Sequence, residues 1–163
     1  MQKISTFMWF DNQAEEAMNY YVDVFNGSPN KTAESKVVFA KRYEKGLQAP
    51  GTDKMEGQVL VGVFELDGQR FQAMNGGPGH EFNDAVSLYV ECQDQAEIDY
   101  FWDRLTADGG QPIQCGWLKD KYGLRWQIDP KNMYELVKTT EAFNAMLGMT
   151  KIIISDLESA GKN

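Results

Sequence analysis

The chain has 163 residues, of which 42% are hydrophobic and 12% aromatic, enough for one good-sized core or for two small halves that share one. Its 16 basic and 24 acidic residues give a net charge of -8, which excludes nucleic acid and an anionic membrane surface as partners. No apolar run approaches membrane-spanning length, and two cysteines are too few for a disulfide framework. We therefore expect a soluble cytoplasmic protein with two buried thiols.

The first half begins with a short apolar segment and continues into an amphipathic helix. Ile4–Phe10 is apolar and aromatic and stops at Asp11, a turn and helix-cap residue, which predicts a strand followed by a helix. In Asn12–Phe25 the apolar residues recur at helical spacing, and two glutamates lie in the first turn, where the helix dipole favours them. Three strand-like segments separated by glycine-containing turns follow: Lys36–Glu44, Gly57–Leu66 and Gly68–Gly77.

The second half repeats the strand and helix pattern of the first. Ala85–Cys92 predicts a strand, and Gln95–Leu105 predicts a helix whose "YFWDRL" corresponds to "YYVDVF" in the first helix. Pro112–Leu118 and Gly123–Asp129 then predict two further strands. We expect an α+β fold of two βαβββ repeats that form a curled mixed sheet around a cavity.

The predicted boundaries place the first half in residues 1–78, the second in 79–138, and a C-terminal extension in 139–163, within one structural domain. The extension contains a helical stretch over 140–149, a strand-like "KIIIS" over 151–155 and a last short helix. Its apolar content exceeds that of a disordered end. We expect it to cover the partner chain of a homodimer.

One strand is written twice, as "GQRFQAM" (residues 68–74) and "GLRWQID" (residues 123–129), and each copy carries a glutamine, Gln72 and Gln127. Because side chains alternate along a strand, residues packed beneath the helices leave their neighbours facing the cavity. A one-residue slip would reverse this assignment. With Phe71, Ala73, Trp126 and Ile128 beneath the helices, the predicted cavity-facing residues are Gln72, Met74, Arg125 and Gln127, together with Ser5, Phe7, Trp9, Ser87 and Tyr89.

The segments "FMWFDNQAEEAMNYYVDVF", "GQRFQAMNGGP", "QCGWLKDKYGLRWQI" and "AMLGMTKIIISDLESA" span almost the whole chain. With them the sequence resembles the vicinal oxygen chelate superfamily, which includes glyoxalase I, extradiol dioxygenases and bleomycin-binding resistance proteins. Within it, the sequence is similar to the PhnB-like group. That group often carries the label 3-demethylubiquinone-9 3-methyltransferase.

The resemblance implies metal ligands on the first and fourth strands of each half, commonly a histidine and a glutamate. In this sequence those positions correspond to Ser5 and Ala85 on the first strands, and to Gln72 and Gln127 on the fourth. Divalent ions require anionic oxygen, imidazole or thiolate ligands, which these side chains do not offer. The repeat is therefore interpreted as a duplicated half-site whose metal position is vacated, and neither a metal nor another cofactor is expected.

The expected ligand contacts come from amide, aromatic and basic side chains of the cavity face. The glutamines could instead hydrogen-bond each other in a wet core, and aromatic residues at strand spacing are often simply core. The predicted ligand-binding residues are Trp9, Gln72, Met74, Tyr89, Arg125 and Gln127.

Four other features have the residue types of catalytic or anion-binding groups but fit a plain structural role. His80 is the single histidine and lies in a glycine-rich loop without a sequence-placed partner, so a role as general base has little support. The loop Asn75–Gly79 lacks the helix and lysine of a phosphate-binding loop. Cys115 lies in a strand-like run where burial makes a thiol inert, and Lys119 belongs to a charged turn.

Three functions remain open from the sequence. The first is a homodimeric protein that binds a small organic molecule without transforming it. The second is an enzyme of the same superfamily, either a metal-dependent lyase or oxygenase or a metal-independent enzyme that uses Arg125 and His80. The third takes the family label literally, with S-adenosylmethionine as cofactor, but the chain lacks the glycine-rich strand-to-helix turn of a nucleotide-type site.

Overall fold

The computed structural model describes residues 2–47 and 55–162, and it divides into two compact units. One unit comprises the chain up to Gly27 together with Lys31–Glu81, and the other comprises Ser28–Asn30 and the chain from Phe82 onward. Each unit contains a four-stranded mixed sheet and at least one helix. The α+β class is confirmed, whereas the boundaries at residues 78 and 138 stay predictions.

The first unit forms its sheet from strands in the order β1-β4-β3-β2. Strand β1 runs parallel to β4, and the other neighbours are antiparallel. The elements are β1 (Thr6–Phe10), α1 (Ala14–Asn26), β2 (Lys36–Arg42), β3 (Val59–Leu66) and β4 (Gln69–Asn75).

The second unit repeats this arrangement, with strands in the order β5-β8-β7-β6 and a parallel pair between β5 and β8. Three further helices follow the sheet. Since both units show the same strand order and the same parallel pair, the predicted internal repeat is confirmed. The elements are β5 (Leu88–Cys92), α2 (Gln95–Thr106), β6 (Gln111–Pro112), β7 (Trp117–Lys119), β8 (Arg125–Pro130), α3 (Met133–Leu136), α4 (Thr140–Leu147) and α5 (Ile154–Ala160).

The start of α1 is fixed by a buried asparagine at the end of β4. Asn75 Oδ1 accepts a hydrogen bond from the backbone N–H of Ala14 at 2.8 Å, and Asn75 Nδ2 donates to Val59 O at 2.9 Å. Tyr43 donates its hydroxyl to the backbone oxygen of Asn75 at 2.6 Å. One side chain thus satisfies a backbone donor at the helix start and joins α1 to two strands of the sheet.

Helix α1 packs closely on the sheet because β3 carries a glycine beneath it. A Cβ built at Gly62 would lie 2.5 Å from Met18 Cε, so only glycine leaves room for this methionine. The buried residues of α1 recur every three or four positions, as the sequence predicted. They are Ala14, Ala17, Met18, Tyr21 and Val24.

Helix α2 begins with an aspartate cap. Asp94 Oδ1 accepts from the backbone N–H of Glu97 at 3.0 Å, which satisfies one of the free donors of the first turn. The apolar face of the helix buries Ile98, Phe101, Trp102 and Leu105. This face contacts β8 and β7 of the same unit.

The burial pattern confirms the predicted phase of alternation. Ala73, Trp126 and Ile128 are at most 1% exposed, whereas Gln72 and Gln127 are half-buried. In each unit the glutamine therefore lies on the sheet face opposite to the buried apolar side chains.

The C-terminal extension is helical, and the predicted strand-like segment over 151–155 is wrong. Residues 149 and 150 accept hydrogen bonds from the backbone N–H groups of Cys115 (2.8 Å) and Gly116 (2.9 Å), and α5 starts at Ile154. Gln95 Oε1 accepts from the Ile154 N–H at 2.9 Å, which supplies the first turn with a partner. Tertiary hydrogen bonding thus outweighs the strand propensity of three consecutive isoleucines.

Both cysteines are free thiols, but they differ in burial. Cys92 is fully buried at the end of β5, as expected, whereas Cys115 is partly exposed. Cys115 lies in a loop with φ 56°, not in a strand interior, so the prediction of two buried thiols is wrong for this residue. Across the described residues, no helix combines the length and apolar character that a membrane crossing requires.

Candidate functional site

Both glutamines of the repeated strand donate to a serine of the neighbouring parallel strand segment. Gln72 Nε2 donates to Ser5 Oγ at 3.0 Å, and Gln127 Nε2 donates to Ser87 Oγ at 2.7 Å. All four side chains are partly buried. The duplication of the sequence therefore extends to a duplicated glutamine–serine hydrogen bond, one in each unit.

The strand register explains why the two pairs match and corrects one assignment. Phe7 lies opposite Gln72 in the β1–β4 pair, and Tyr89 lies opposite Gln127 in the β5–β8 pair. Each serine precedes its aromatic residue by two positions. Ser87 is therefore the counterpart of Ser5, and the assignment of the first-strand position to Ala85, which is exposed, is wrong.

Each glutamine–serine pair retains hydrogen-bonding capacity for a ligand. The amide N–H of the glutamine is used by the serine oxygen, so the glutamine carbonyl remains as an acceptor and the serine hydroxyl as a donor. Among the described residues, no other partner of the Gln72 or Gln127 side chain is found. A group that both donates and accepts is complementary to either pair.

An exposed aromatic ring stands beside each pair. Phe7 is 52% exposed and Tyr89 is 39% exposed, although both belong to residue types that proteins usually bury. Each lies directly opposite the glutamine of its own unit. An amide, a hydroxyl and an aromatic ring thus share one face of the parallel strand pair in both units.

Trp9 is held in place by the glycine-rich loop after β4. Its Nε1 donates to Gly77 O at 2.9 Å, and a Cβ at Gly76 would lie 2.2 Å from the indole ring. The exposed His80 ring stacks on the indole, with 4.4 Å between ring centroids and 29° between planes. Met74 lies opposite Trp9 in the β1–β4 pair. The loop "NGGPGH" therefore fixes the position of the Trp9 indole, a role that the sequence did not predict.

The second unit buries a carboxyl group, that of Asp129, near Tyr89. Asp129 is only 4% exposed. Burial raises the pKa of the Asp129 carboxyl to about 6, and burial together with the nearby Asp129 charge raises the pKa of Tyr89. Tyr89 therefore stays a neutral hydrogen-bond donor at physiological pH.

Sequence reasoning missed Asp129, although the repeat contains the signal. The two copies of the strand end differently, as Met74 in "GQRFQAM" and as Asp129 in "GLRWQID". A carboxylate at a position where the other copy has an apolar residue indicates a role specific to the second unit.

A profile of the family described as 3-demethylubiquinone-9 3-methyltransferase matches residues 2–129. The chain belongs to this PhnB-like family. A PhnB protein from Bacillus cereus is 37% identical, with 77% of this chain and 97% of that chain covered and a TM-score of 0.62. The resemblance of the sequence to the PhnB-like group is thereby confirmed.

A solved structure with much lower identity shares the fold. Protein PA1353 from Pseudomonas aeruginosa is 13% identical, with 80% of this chain and 98% of that chain covered and a TM-score of 0.62. The fosfomycin resistance protein FosX from Listeria monocytogenes is 12% identical, with 80% and 91% covered and a TM-score of 0.49. No curated protein sequence matches the chain significantly.

The donor groups of this PhnB-like chain do not fit a divalent metal. Neither glutamine–serine pair contains an anionic oxygen, an imidazole or a thiolate, which such ions require. Over residues 2–47 and 55–162, no group of three or more His, Cys, Asp or Glu side chains is arranged to hold a metal ion.

The chain also does not fit S-adenosylmethionine in a nucleotide-type site. The strand-to-helix turns of the two units consist of residues 11–13, 93–94 and 131–132, none of which is glycine. The glycines of the "NGGPG" loop instead follow β4 and precede β5. A glycine-rich turn that opens a helix is needed to bring backbone N–H groups to such a cofactor.

Arg125 has its charge satisfied within the second unit. Its Nε lies 2.6 Å from Asp84 Oδ1, and its Nη1 donates to Gly123 O. Lys119 lies opposite Arg125 on the neighbouring strand and is partly buried. Arg125 is thus on the predicted sheet face but is committed to a carboxylate partner.

The remaining candidate residues show no sign of activation for catalysis. Burial raises the pKa of both the Cys92 and the Cys115 thiols, so neither is primed as a nucleophile. His80 stacks on Trp9 through its ring. A surface cleft of ≈ 550 Å³ in the second unit is formed at the start of α2 and by the extension, and it includes none of the predicted ligand-binding residues.

Proposed function

We propose that this PhnB-like protein binds a small uncharged organic molecule through its glutamine–serine pairs, without a metal ion. The observation that supports the proposal most directly is the repeated hydrogen bond of Gln72 to Ser5 and of Gln127 to Ser87. At positions where the superfamily commonly carries metal ligands, the chain carries neutral groups that are already paired with each other. The glutamine carbonyl and the serine hydroxyl remain free, and they are complementary to the polar groups of an organic ligand.

The side chains around the pairs define the chemistry of the expected ligand. The exposed rings of Phe7 and Tyr89 favour a planar apolar body, and the glutamine carbonyl and serine hydroxyl favour a group that donates and accepts. The net charge of -8 disfavours an anion, and the guanidinium of Arg125 is already paired with Asp84. A primary carboxamide on an aromatic ring is the simplest molecule with these properties.

We extend the proposal to a cytoplasmic homodimer, as the sequence suggested. Helices α3 and α4 leave large apolar side chains at the surface: Tyr134 (77% exposed) in α3, and Phe143 (46%) and Leu147 (47%) in α4. Light scattering coupled to size-exclusion chromatography should give twice the chain mass of 18.5 kDa. A monomer at concentrations of tens of micromolar would remove this part of the proposal and leave the binding function unaffected.

The first test is to identify what the protein carries. Untagged protein purified without chelator should contain far less than one divalent metal per chain by elemental analysis. Native mass spectrometry should then show either the bare chain or a non-covalent organic adduct. About one equivalent of metal per chain would contradict the proposal and favour a metal-dependent enzyme of the superfamily.

The binding site is tested with benzamide as probe and benzoate as charged counterpart. Titration followed by ¹⁵N NMR should shift the side-chain amide signals of Gln72 or Gln127 with benzamide and much less with benzoate. Gln72→Met and Gln127→Met remove these side-chain signals, so their effect is followed on the backbone amides of β4 and β8. Benzamide should shift those amides in the wild type and not in the double variant, because methionine keeps the length but not the hydrogen bonds. Gln69→Met, an exposed position on the same strand as Gln72, is the matched control.

The methyltransferase named in the family description is the alternative activity. Equilibrium dialysis with labelled S-adenosylmethionine should show no saturable binding in the micromolar range. Saturable binding would favour the methyltransferase and overturn the proposed binding function.

A further inference from the structure

Gln127 is the centre of a row of three side chains that crosses the sheet of the second unit. Tyr89 of β5 lies opposite Gln127 on one side, and Trp117 of β7 lies opposite it on the other. Residues directly opposite each other on neighbouring strands point to the same sheet face. Leu118, the next residue of β7, is completely buried on the other face, whereas Trp117 is only partly buried. The second glutamine therefore has an aromatic residue on both sides.

The first unit has the same row with a different third member. Phe7 and Val63 lie opposite Gln72, so Val63 takes the position that Trp117 has in the second unit. Valine has a short branched side chain without a flat surface for stacking. The two glutamine–serine pairs are thus alike, but it is the pair of the second unit that lies between two aromatic residues.

The strand spacing gives the width of the gap between these two aromatic residues. Tyr89 and Trp117 lie on the two strands that flank β8. Neighbouring strands are about 4.8 Å apart, so the Cβ atoms of the two residues are separated by roughly 10 Å. Carbon atoms in contact lie about 3.5–4 Å apart, so one flat ring placed between two others requires roughly 7–8 Å. A single planar molecule therefore fits between Tyr89 and Trp117.

The backbone at Trp117 is fixed from several directions. Its N–H donates to Gln114 O at 3.0 Å, and the preceding Gly116 donates its N–H to Thr150 O at 2.9 Å. Gly116 O in turn accepts from the Ile128 N–H at 2.9 Å. The start of β7 is thereby tied both to the C-terminal extension and to β8. Because this segment is already ordered, a ligand that packs on Trp117 loses little free energy in ordering it.

The indole of Trp117 is not committed to a hydrogen bond of the fold. Trp9 Nε1 donates to Gly77 O at 2.9 Å, and Trp126 Nε1 donates to Asp120 Oδ2 at 2.8 Å. For the Trp117 indole N–H, no partner is found in the part of the chain that the structure describes. A partly exposed tryptophan with an uncommitted polar group is typical of binding surfaces.

We propose that Tyr89, Gln127 and Trp117 form an aromatic slot, and that Trp117 is the residue that selects a planar ligand. The polar group of the ligand meets the free Gln127 carbonyl and the Ser87 hydroxyl, and its flat body lies between the two aromatic rings. This inference rests on the proposed binding function and deepens it, because it assigns the ligand to the second unit and the selection of planarity to Trp117.

The test compares benzamide with cyclohexanecarboxamide, which carries the same amide on a thicker, puckered ring. Binding to ¹⁵N-labelled protein is followed by NMR on the backbone amides of β4 and β8 and on the indole N–H of Trp117. In the wild type, benzamide should shift the β8 amides and the Trp117 indole signal, and it should shift the β4 amides several-fold less. Cyclohexanecarboxamide should bind about tenfold more weakly, because a puckered ring does not stack on two flat ones.

Trp117→Val gives the second unit the row of the first unit. In this variant the affinity for benzamide should fall about tenfold, and the preference for benzamide over cyclohexanecarboxamide should largely disappear. Trp117→Phe keeps a flat ring and should retain most of the preference. Tyr20→Leu removes a partly buried aromatic ring from α1, outside the row, and should leave both affinities unchanged.

The outcomes separate the slot from the binding function. An unchanged preference in Trp117→Val would overturn the slot and leave the binding function intact, and so would equal benzamide shifts on β4 and β8. If Trp117→Val does not fold, the wild-type protein decides, because a Trp117 indole signal that stays in place while the β8 amides shift contradicts the slot. No shift on either strand would refute the binding function, and the slot with it.

Discussion

Gln127 donates a hydrogen bond to Ser87 at 2.7 Å, and Gln72 makes the same bond to Ser5 at 3.0 Å in the other unit. In both units the bond crosses from the fourth strand to the residue that precedes the first strand. A carboxylate in place of the amide would put a negative charge at this point. The chain therefore allows a direct test of whether the pairs occupy former metal positions.

Conversion of the amides to carboxylates should create metal affinity. Gln72→Glu combined with Gln127→Glu is expected to gain affinity for a divalent ion, because carboxylate oxygen is a ligand that Mn²⁺ accepts. Isothermal titration calorimetry with Mn²⁺ measures the gain. Gln69→Glu and Gln114→Glu place the same added charges at exposed positions and should show none. Equal heats from the two double variants would refute the correspondence with metal positions.

The stability of the protein should fall as pH rises through the range in which Asp129 ionises. The folded-state pKa is raised from 3.8 to about 6, so the stabilising contribution of the protonated carboxyl is complete below pH 3.8 and lost by about pH 6. The difference of about 2 pKa units corresponds to roughly 3 kcal/mol in the free energy of unfolding.

Urea denaturation of the wild type and of Asp129→Asn isolates this contribution. The free energy difference between the two proteins should change by about 3 kcal/mol between pH 3.5 and pH 7, in the direction that favours the variant at the higher pH. Other carboxyl groups titrate equally in both proteins and cancel. A difference that is independent of pH would mean that Asp129 ionises normally.

Gly116→Ala should be among the more damaging single substitutions in the second unit. The added Cβ would lie 2.3 Å from Asp129 Oδ1 at a backbone φ of +80°, which combines a steric clash with left-handed strain. We expect a loss of about 2–4 kcal/mol by chemical denaturation. Gly109→Ala, with φ +105° and open space around it, carries the strain without the clash and should lose clearly less.

Gly76→Ala should displace the Trp9 side chain. A Cβ at this position would lie 2.2 Å from the indole, and Gly76 does not adopt a positive φ, so the effect is purely steric. The expected outcome is a shift in tryptophan fluorescence and a loss of the Trp9–His80 stacking, with a destabilisation of about 1–3 kcal/mol. Gly148→Ala, where the nearest atom would lie 3.5 Å away, is the control. Identical emission spectra for both variants would contradict the role of this loop in fixing the position of the Trp9 indole.

The amino-acid sequence by itself determined the architecture of each unit. The repeated strand and helix patterns predicted two βαβββ halves, and both sheets have the same strand order. Alternation along the strands placed Gln72 and Gln127 on the face opposite to Ala73 and Ile128. The burial of Ala73 and Ile128 in the structure then showed that this assignment has the correct phase.

Only the tertiary structure decided which groups meet these side chains. Ala85 and Ser87 have the same side-chain direction on an alternating strand, so the pattern could not tell which one Gln127 contacts, whereas the register of β5 against β8 selects Ser87. The burial of Asp129 likewise depends on the packing of the loop around Gly116 and on an extension distant in sequence. Periodicity specifies the face of a residue, but its partners and its pKa depend on long-range packing, which local sequence does not encode.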